Sequence, residues 1–272
     1  MNEKKLRLGL VGKSVTASKS GTIHTFILKQ FGYDCEYENF SVSPLDFDNV
    51  MRVLLGDFHG FNVTIPYKRD VLEYLDEVDD CALSCGTVNT VVLATRTGYN
   101  TDGAGFLLML SSAGITVKNK KILILGIGGA GRSIAVALKK MGAQVYAYRR
   151  DRNELLEACE QLGLSPAFDP EMGGFEMIIN CTGVGMHDTI GVSPIGERAF
   201  AGAEWAVDLI YRPKESEFLR IAKAQNLKTL NGEAMLFYQA YYADCLYLDR
   251  SASEMEAQNF YNKYIKESES WS

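Results

Sequence analysis

No Cys-x-x-C pair occurs in the 272 residues, and there are only three histidines, so a zinc site built from Cys and His is not expected. The six cysteines, Cys35, Cys81, Cys85, Cys159, Cys181 and Cys245, read as free thiols of a cytosolic enzyme. No apolar run approaches the length of a membrane span. No targeting pattern precedes the first apolar strand, Leu6 to Val11, so a cytoplasmic location is expected. Positive charge is not in excess: the net charge of −6 argues against broad nucleic-acid binding. Nothing repeats and nothing is low in complexity. What remains is an ordinary globular composition, 47% hydrophobic and 23% charged, in a chain long enough for two domains.

The most telling stretch is Lys120 to Met141. Ile122 to Leu125 is a short, branched, apolar run suited to a strand buried on both faces. Gly126-Ile127-Gly128-Gly129-Ala130-Gly131 follows as G-x-G-x-x-G, and Ile134, Ala135, Leu138 and Met141 then recur at helical spacing. A glycine turn between strand and helix lets a pyrophosphate approach the backbone and meet the N–H groups of the helix start. The bland alternative is a tight turn with no ligand.

Before this unit the chain reads βαβα. Strands are expected at Leu6–Val11, Tyr33–Phe40 and Phe61–Ile65, and helices at Ile23–Phe31, after Ser43-Pro44, and from Pro66 with Val71, Leu72 and Leu75 inward. Two short strands around residues 88–99 precede a helix ending near Gly114. After the glycine unit come strands near 144–148, 177–180, 206–210 and 228–230, and two closing helices. The expected fold class is α/β with two domains. Residues 1–101 with 238–272 form a mixed, mostly parallel substrate-binding domain, and residues 102–237 a Rossmann-type dinucleotide-binding domain. A cleft between them is the expected ligand site.

The second strand of the nucleotide unit ends in Arg149-Arg150-Asp151-Arg152. Guanidinium groups at that point suit a 2′-phosphate, which favours NADP, while Asp151 could instead accept from a ribose hydroxyl and leaves NAD possible. In the first domain, Ser18 and Ser20 could both donate to one carboxylate, or simply cap a helix. Lys68 is expected in the first turn of a helix, against its dipole. Lys68 and Asp102 together could handle a proton at a hydroxyl while a hydride leaves its carbon. His24 and His59 read as ordinary surface or boundary residues.

These motifs together resemble the shikimate/quinate dehydrogenase family over nearly the whole chain. The resemblance rests on Ser18-Lys19-Ser20, Asn62 to Lys68 (N-V-T-x-P-x-K), Gly86 to Thr90, Asn100 to Gly103, Gly126 to Ala130, Asn180 to Met186, Asp208 to Pro213, and Asn231 to Gln239. It implies a reversible NADPH-dependent reduction of 3-dehydroshikimate to shikimate, in the shikimate pathway to chorismate and the aromatic amino acids. It implies Lys68 and Asp102 as the catalytic pair. Ser18 and Ser20 would hold the carboxylate, with Tyr211 nearby, and Thr64, Asn89 and Gln239 would bond the ring hydroxyls. Gly126, Gly128, Gly129, Ala130 and Gly131 would carry the pyrophosphate, and Arg149, Arg150 and Asp151 would lie at the adenosine end. Thr182, Gly232 and Met235 would surround the nicotinamide. No metal is implied, and the chain would act as a monomer or homodimer.

Two departures stand out. The usual His-Ser-x-Ser-Pro is here Ala17-Ser18-Lys19-Ser20-Gly21, and the usual Asn-Arg-Thr after the second nucleotide strand is Arg149-Arg150-Asp151. The alternatives are a quinate or dual-specificity dehydrogenase using NAD and, from a different class, a non-catalytic nucleotide-binding sensor. The sensor would be expected to lack Lys68 or Asp102.

Overall fold

Strand β1 (Lys5–Gly12) is the inner strand of a sheet because it buries side chains on both faces. The computed structural model describes residues 5–269. On one face Leu6 and Leu8 pack with Leu28, Tyr247 and Leu248; on the other, Val11 joins Phe47, Met51, Leu54 and Phe61. β1 runs parallel to β2 (Asp34–Ser41) and to β3 (Gly60–Val63). The sheet continues through β4 (Glu77–Val78), β5 (Thr90–Val92) and β6 (Thr97–Tyr99) in the order β2-β1-β3-β5-β6-β4, with β5 antiparallel to both neighbours. Helices α1 (Ser20–Gln30), α2 (Phe47–Asp57), α3 (Asp80–Cys85) and α4 (Asp102–Ser112) belong to this part.

The second sheet is wholly parallel. Its strands are β7 (Lys121–Leu125), β8 (Gln144–Tyr148), β9 (Ser165–Pro166), β10 (Met177–Asn180), β11 (Trp205–Asp208) and β12 (Lys228–Leu230), ordered β12-β11-β10-β7-β8-β9. That order reverses direction at β7, as in doubly wound dinucleotide-binding folds, whose ligands sit at the carboxyl ends of the strands at the switch point. α5 (Gly129–Lys140), α6 (Arg152–Leu162) and α7 (Glu217–Ala224) complete the unit, and α8 (Glu233–Tyr247) and α9 (Glu254–Glu269) close the chain. Among the described residues no helix is long and apolar enough to cross a membrane.

The chain divides into two compact units, residues 1–112 with 236–272 and residues 113–235. Against the boundary expected at residue 101, α4 goes with the first unit. The reason is visible at Gly105, where a Cβ would lie 2.6 Å from the Gln239 nitrogen and 2.9 Å from its Cα. The α4 and α8 backbones meet there.

One expected element is absent. No α-helix starts at Pro66: residues 65–69 form turns, and a 3₁₀ helix follows at Asp70–Tyr74. The Lys68 carbonyl accepts from the Val88 N–H at 2.8 Å, so it is taken by a neighbouring segment instead of by the residue four ahead. Lys68 therefore opposes no helix dipole.

Candidate active site

Two segments of the first unit are stitched together to present Lys68 and Asp102. The Lys68 backbone is bonded to Val88, and the Asn100 amide donates to the Thr87 carbonyl at 2.8 Å and to its hydroxyl at 3.0 Å. Asn100 Oδ1 in turn accepts from the Asp102 N–H at 3.1 Å, at the first residue of α4. Lys68 Nζ donates to Asp102 Oδ2 at 2.5 Å, and both residues are more than nine-tenths buried. Asn89 Nδ2 donates to the other oxygen, Oδ1, at 2.8 Å and reaches Gln239 Oε1 at 3.4 Å. The Asn89 side-chain oxygen is held by the Thr101 N–H at 2.9 Å. A backbone donor cannot reverse its polarity, so the Asn89 amide is fixed with its nitrogen towards the carboxylate. Four of the residues singled out in the sequence, Lys68, Asn89, Asp102 and Gln239, are thus joined in one hydrogen-bonded cluster.

Ser18 and Ser20 are also together: Ser18 Oγ donates to Ser20 Oγ at 3.0 Å and accepts from the Ser20 N–H at 3.1 Å. Thr64 follows β3, and its N–H donates to the Val11 carbonyl at 2.9 Å. His24 corrects the expectation of a surface or boundary residue. It is fully buried, with Nδ1 2.6 Å from Asp244 Oδ1. Helical spacing puts it on the same face of α1 as Ile27 and Leu28, which was the available signal; its partner lies 220 residues away. Sequence reasoning also missed Tyr37 and Thr90, which bond to neighbours of this cluster.

In the second unit the glycine turn is shaped for a ligand. Gly126 has φ +89°, and a Cβ on Gly131 would collide with the Gly126 carbonyl oxygen, so the turn closes only with glycine at both positions. A Cβ on Gly128 would meet open space, and α5 starts there without a side-chain cap. An uncapped helix start with open space before it fits a pyrophosphate. Ala130 lies in the first turn of α5 beside Gly129. Asp151 accepts from the Glu154 N–H at 2.9 Å as the N-cap of α6, so its carboxylate is engaged by the helix. Arg149 pairs with Glu154, and Arg150 is exposed.

Asn180 organises the loop after β10. Its Oδ1 accepts from the Thr182 N–H at 3.0 Å and hydroxyl at 2.6 Å, and its Nδ2 donates to buried Asp208 at 3.0 Å. Burial raises the Asp208 carboxyl, while bonds from Ser216, the Ile210 N–H and Asn180 pull it back down. Gly232 packs so closely on the Leu209 carbonyl that a Cβ would not fit. Met235 is buried and Tyr211 half-buried, its phenol raised by burial.

A parallel sheet with this strand order and glycine turn, joined in one chain to a unit bearing a buried lysine–aspartate pair, defines a two-domain, nucleotide-dependent oxidoreductase. Residues 10–91 match the family model described as the shikimate dehydrogenase substrate binding domain. The chain is 38% identical over 259 residues to shikimate dehydrogenase (NADP(+)) of Caldicellulosiruptor saccharolyticus, covering 89% of this chain and 92% of that one. It is 36% identical over 251 residues to the enzyme of the same name from Caldanaerobacter subterraneus, covering 86% and 89%. Its fold is similar to the crystal structure of shikimate 5-dehydrogenase from Thermus thermophilus in complex with NADP(H) and shikimate, with a TM-score of 0.86 and 33% identity over 95% of this chain and 99% of that one. The chain belongs to the shikimate dehydrogenase family.

Proposed function

We propose that this chain catalyses the reversible NADP-dependent reduction of 3-dehydroshikimate to shikimate, a step of the shikimate pathway towards chorismate and the aromatic amino acids. The observation that carries this reading is the buried Lys68–Asp102 pair, 2.5 Å apart, in a cluster with Asn89 and Gln239. NADP, when bound, supplies the hydride in reduction and accepts it in oxidation. Lys68 delivers a proton to the substrate oxygen in reduction and takes it back in oxidation. Asp102 orients the ammonium group. Ser18 and Ser20 donate to the substrate carboxylate, assisted by Tyr211. Thr64, Asn89 and Gln239 bond the ring hydroxyls and fix which carbon faces the nicotinamide.

In this reading the first unit binds substrate and the second binds the cofactor. Gly126, Gly128, Gly129, Ala130 and Gly131 hold the pyrophosphate, and Thr182, Gly232 and Met235 hold the nicotinamide end. Arg149 and Arg150 bind the adenosine 2′-phosphate. The engagement of Asp151 as a helix cap supports NADP over NAD, because a carboxylate so held is not turned to a ribose hydroxyl. The partners are small molecules, and the chain works in the cytoplasm as a monomer or homodimer.

Initial rates with shikimate and with quinate, each with NADP and with NAD, test the assignment. Shikimate with NADP is expected to be fastest. Faster turnover of quinate would reassign the substrate, and no turnover in any combination would leave the sensor.

A further inference from the structure

Helices α1 and α8 meet through apolar side chains. Leu28 packs in one cluster with Tyr247, and the rings of Phe26 and Phe237 meet edge-on with centroids 6.2 Å apart. One polar contact stands among them: His24 Nδ1 lies 2.6 Å from Asp244 Oδ1, with both side chains at 0% exposure. The imidazole is stacked on Tyr37 of β2, with centroids 4.9 Å and planes 13° apart, and the Tyr37 hydroxyl donates to Asn62 Oδ1 of β3 at 2.9 Å. The His24 end of the contact is thus fixed to the sheet.

The pair is a poor source of stability. Among the described residues, His24 Nε2 and Asp244 Oδ2 have no hydrogen-bond partner, and both are buried. A buried pair with unpaired atoms is commonly no more stable than apolar side chains of similar volume. What it supplies that apolar packing does not is a defined distance. Aliphatic and aromatic contacts slide and repack, whereas a hydrogen bond survives only within a narrow range of length and angle.

Both helices carry proposed substrate ligands close to this contact. Ser20 is the first residue of α1, one turn before His24 and on the same face. Gln239 lies little more than one turn before Asp244 on α8, and Ala240, Tyr241 and Ala243 between them are fully buried. Gln239 Oε1 is 3.4 Å from Asn89 Nδ2, near the limit of a hydrogen bond, so a small shift of α8 breaks it. Gly105 sets the approach of α8 to α4, and the His24–Asp244 contact sets its approach to α1.

We propose that His24 and Asp244 are positioning residues whose contact sets how far α8 stands from α1, and with it the span between the Ser20 hydroxyl and the Gln239 amide. This rests on the reading of Ser20 as a ligand of the substrate carboxylate and of Gln239 as a ligand of a ring hydroxyl. A rigid cyclic acid gripped at both ends tolerates little error in that span. The pair therefore governs substrate affinity from a place that the substrate does not touch.

Steady-state kinetics with shikimate and NADP, beside urea unfolding, test the spacing. His24→Phe combined with Asp244→Ala replaces the pair by apolar side chains of nearly the same total volume and keeps a ring on Tyr37. This double variant is expected to hold its stability yet raise KM for shikimate roughly fivefold, the worth of one misplaced hydrogen bond. KM for NADP, whose proposed contacts lie mostly in the second unit, changes far less. Asp244→Asn keeps an oxygen that can accept from His24 and leaves KM for shikimate near the wild-type value. In a Gln239→Ala background the double substitution raises KM no further, because one end of the span is already gone. Wild-type KM in the double variant overturns the proposal, as does an equal rise in Asp244→Asn or a full further rise in the Gln239→Ala background. If the double variant does not fold, Asp244→Ala alone is held to the same outcomes. A wild-type chain that does not oxidise shikimate overturns the reading of the two ligands and the proposal with it, and that failure is seen before any substitution is made.

Discussion

Lys68 meets Asp102 where little water reaches, so its ammonium group is oriented before any substrate arrives. On the role proposed for Lys68, removing it takes away the proton donor and leaves Asn89 and Gln239 in place. Lys68→Ala is therefore expected to lower kcat by about 10²- to 10⁴-fold while KM for shikimate changes much less. Steady-state rates in both directions check this, and an unchanged kcat would remove Lys68 from the chemistry. Asp244 gives a different residue-scale prediction. Burial pushes its carboxyl from the ordinary 3.8 up to about 6, with His24 opposing the shift. Between those values the folded chain holds a proton that the unfolded chain has lost. The group's stabilising contribution is thus fully present below about 4 and is lost as pH rises through about 6. Relative to Asp244→Asn, which cannot ionise, the wild type should lose on the order of 1–3 kcal/mol over that interval in urea unfolding. Parallel stability–pH curves for the two would contradict it.

The turn after β8 shows how one element divides labour among its charges. Asp151 serves the start of α6, so Asp151→Ala should cost about 1 kcal/mol in urea unfolding and leave the preference for NADP intact. Replacing both Arg149 and Arg150 by Ala should weaken NADP roughly 10- to 100-fold and NAD far less, measured by the ratio of the two KM values. If both cofactors weakened equally, the arginines would not be reading the phosphate. Elements like these are legible in sequence when a pattern is local. The run Ile122 to Leu125 is apolar because β7 is buried on both faces, and Gly126 to Gly131 marks the turn that follows. The stretch after Pro66 was not legible, because the Lys68 carbonyl is claimed by Val88, twenty residues on. Lys68 and Asp102 stood out as candidates, but not the Asn89 amide that holds the second oxygen of Asp102. The His24–Asp244 pair was hidden for the same reason: each residue looks ordinary until the fold joins α1 to α8.

At the scale of the whole molecule, cofactor binding and stability are linked. A ligand that binds only the folded chain stabilises it by about 2.7 kcal/mol at a hundred times its dissociation constant. NADP should therefore raise the melting temperature in a concentration-dependent way, and NAD should do so only at higher concentration. Equal shifts at equal concentrations would count against a 2′-phosphate site.

The backbone crossing at Gly105 has a bearing on redesign. Asp102 and Gln239 are carried by different helices, and what spaces those helices is the hydrogen atom that glycine has in place of a side chain. A methyl group at 105 would act as a wedge, moving the Gln239 amide away from the Lys68–Asp102 pair without altering either. Attempts to admit bulkier acids should therefore vary the crossing as well as the residues proposed to touch the substrate.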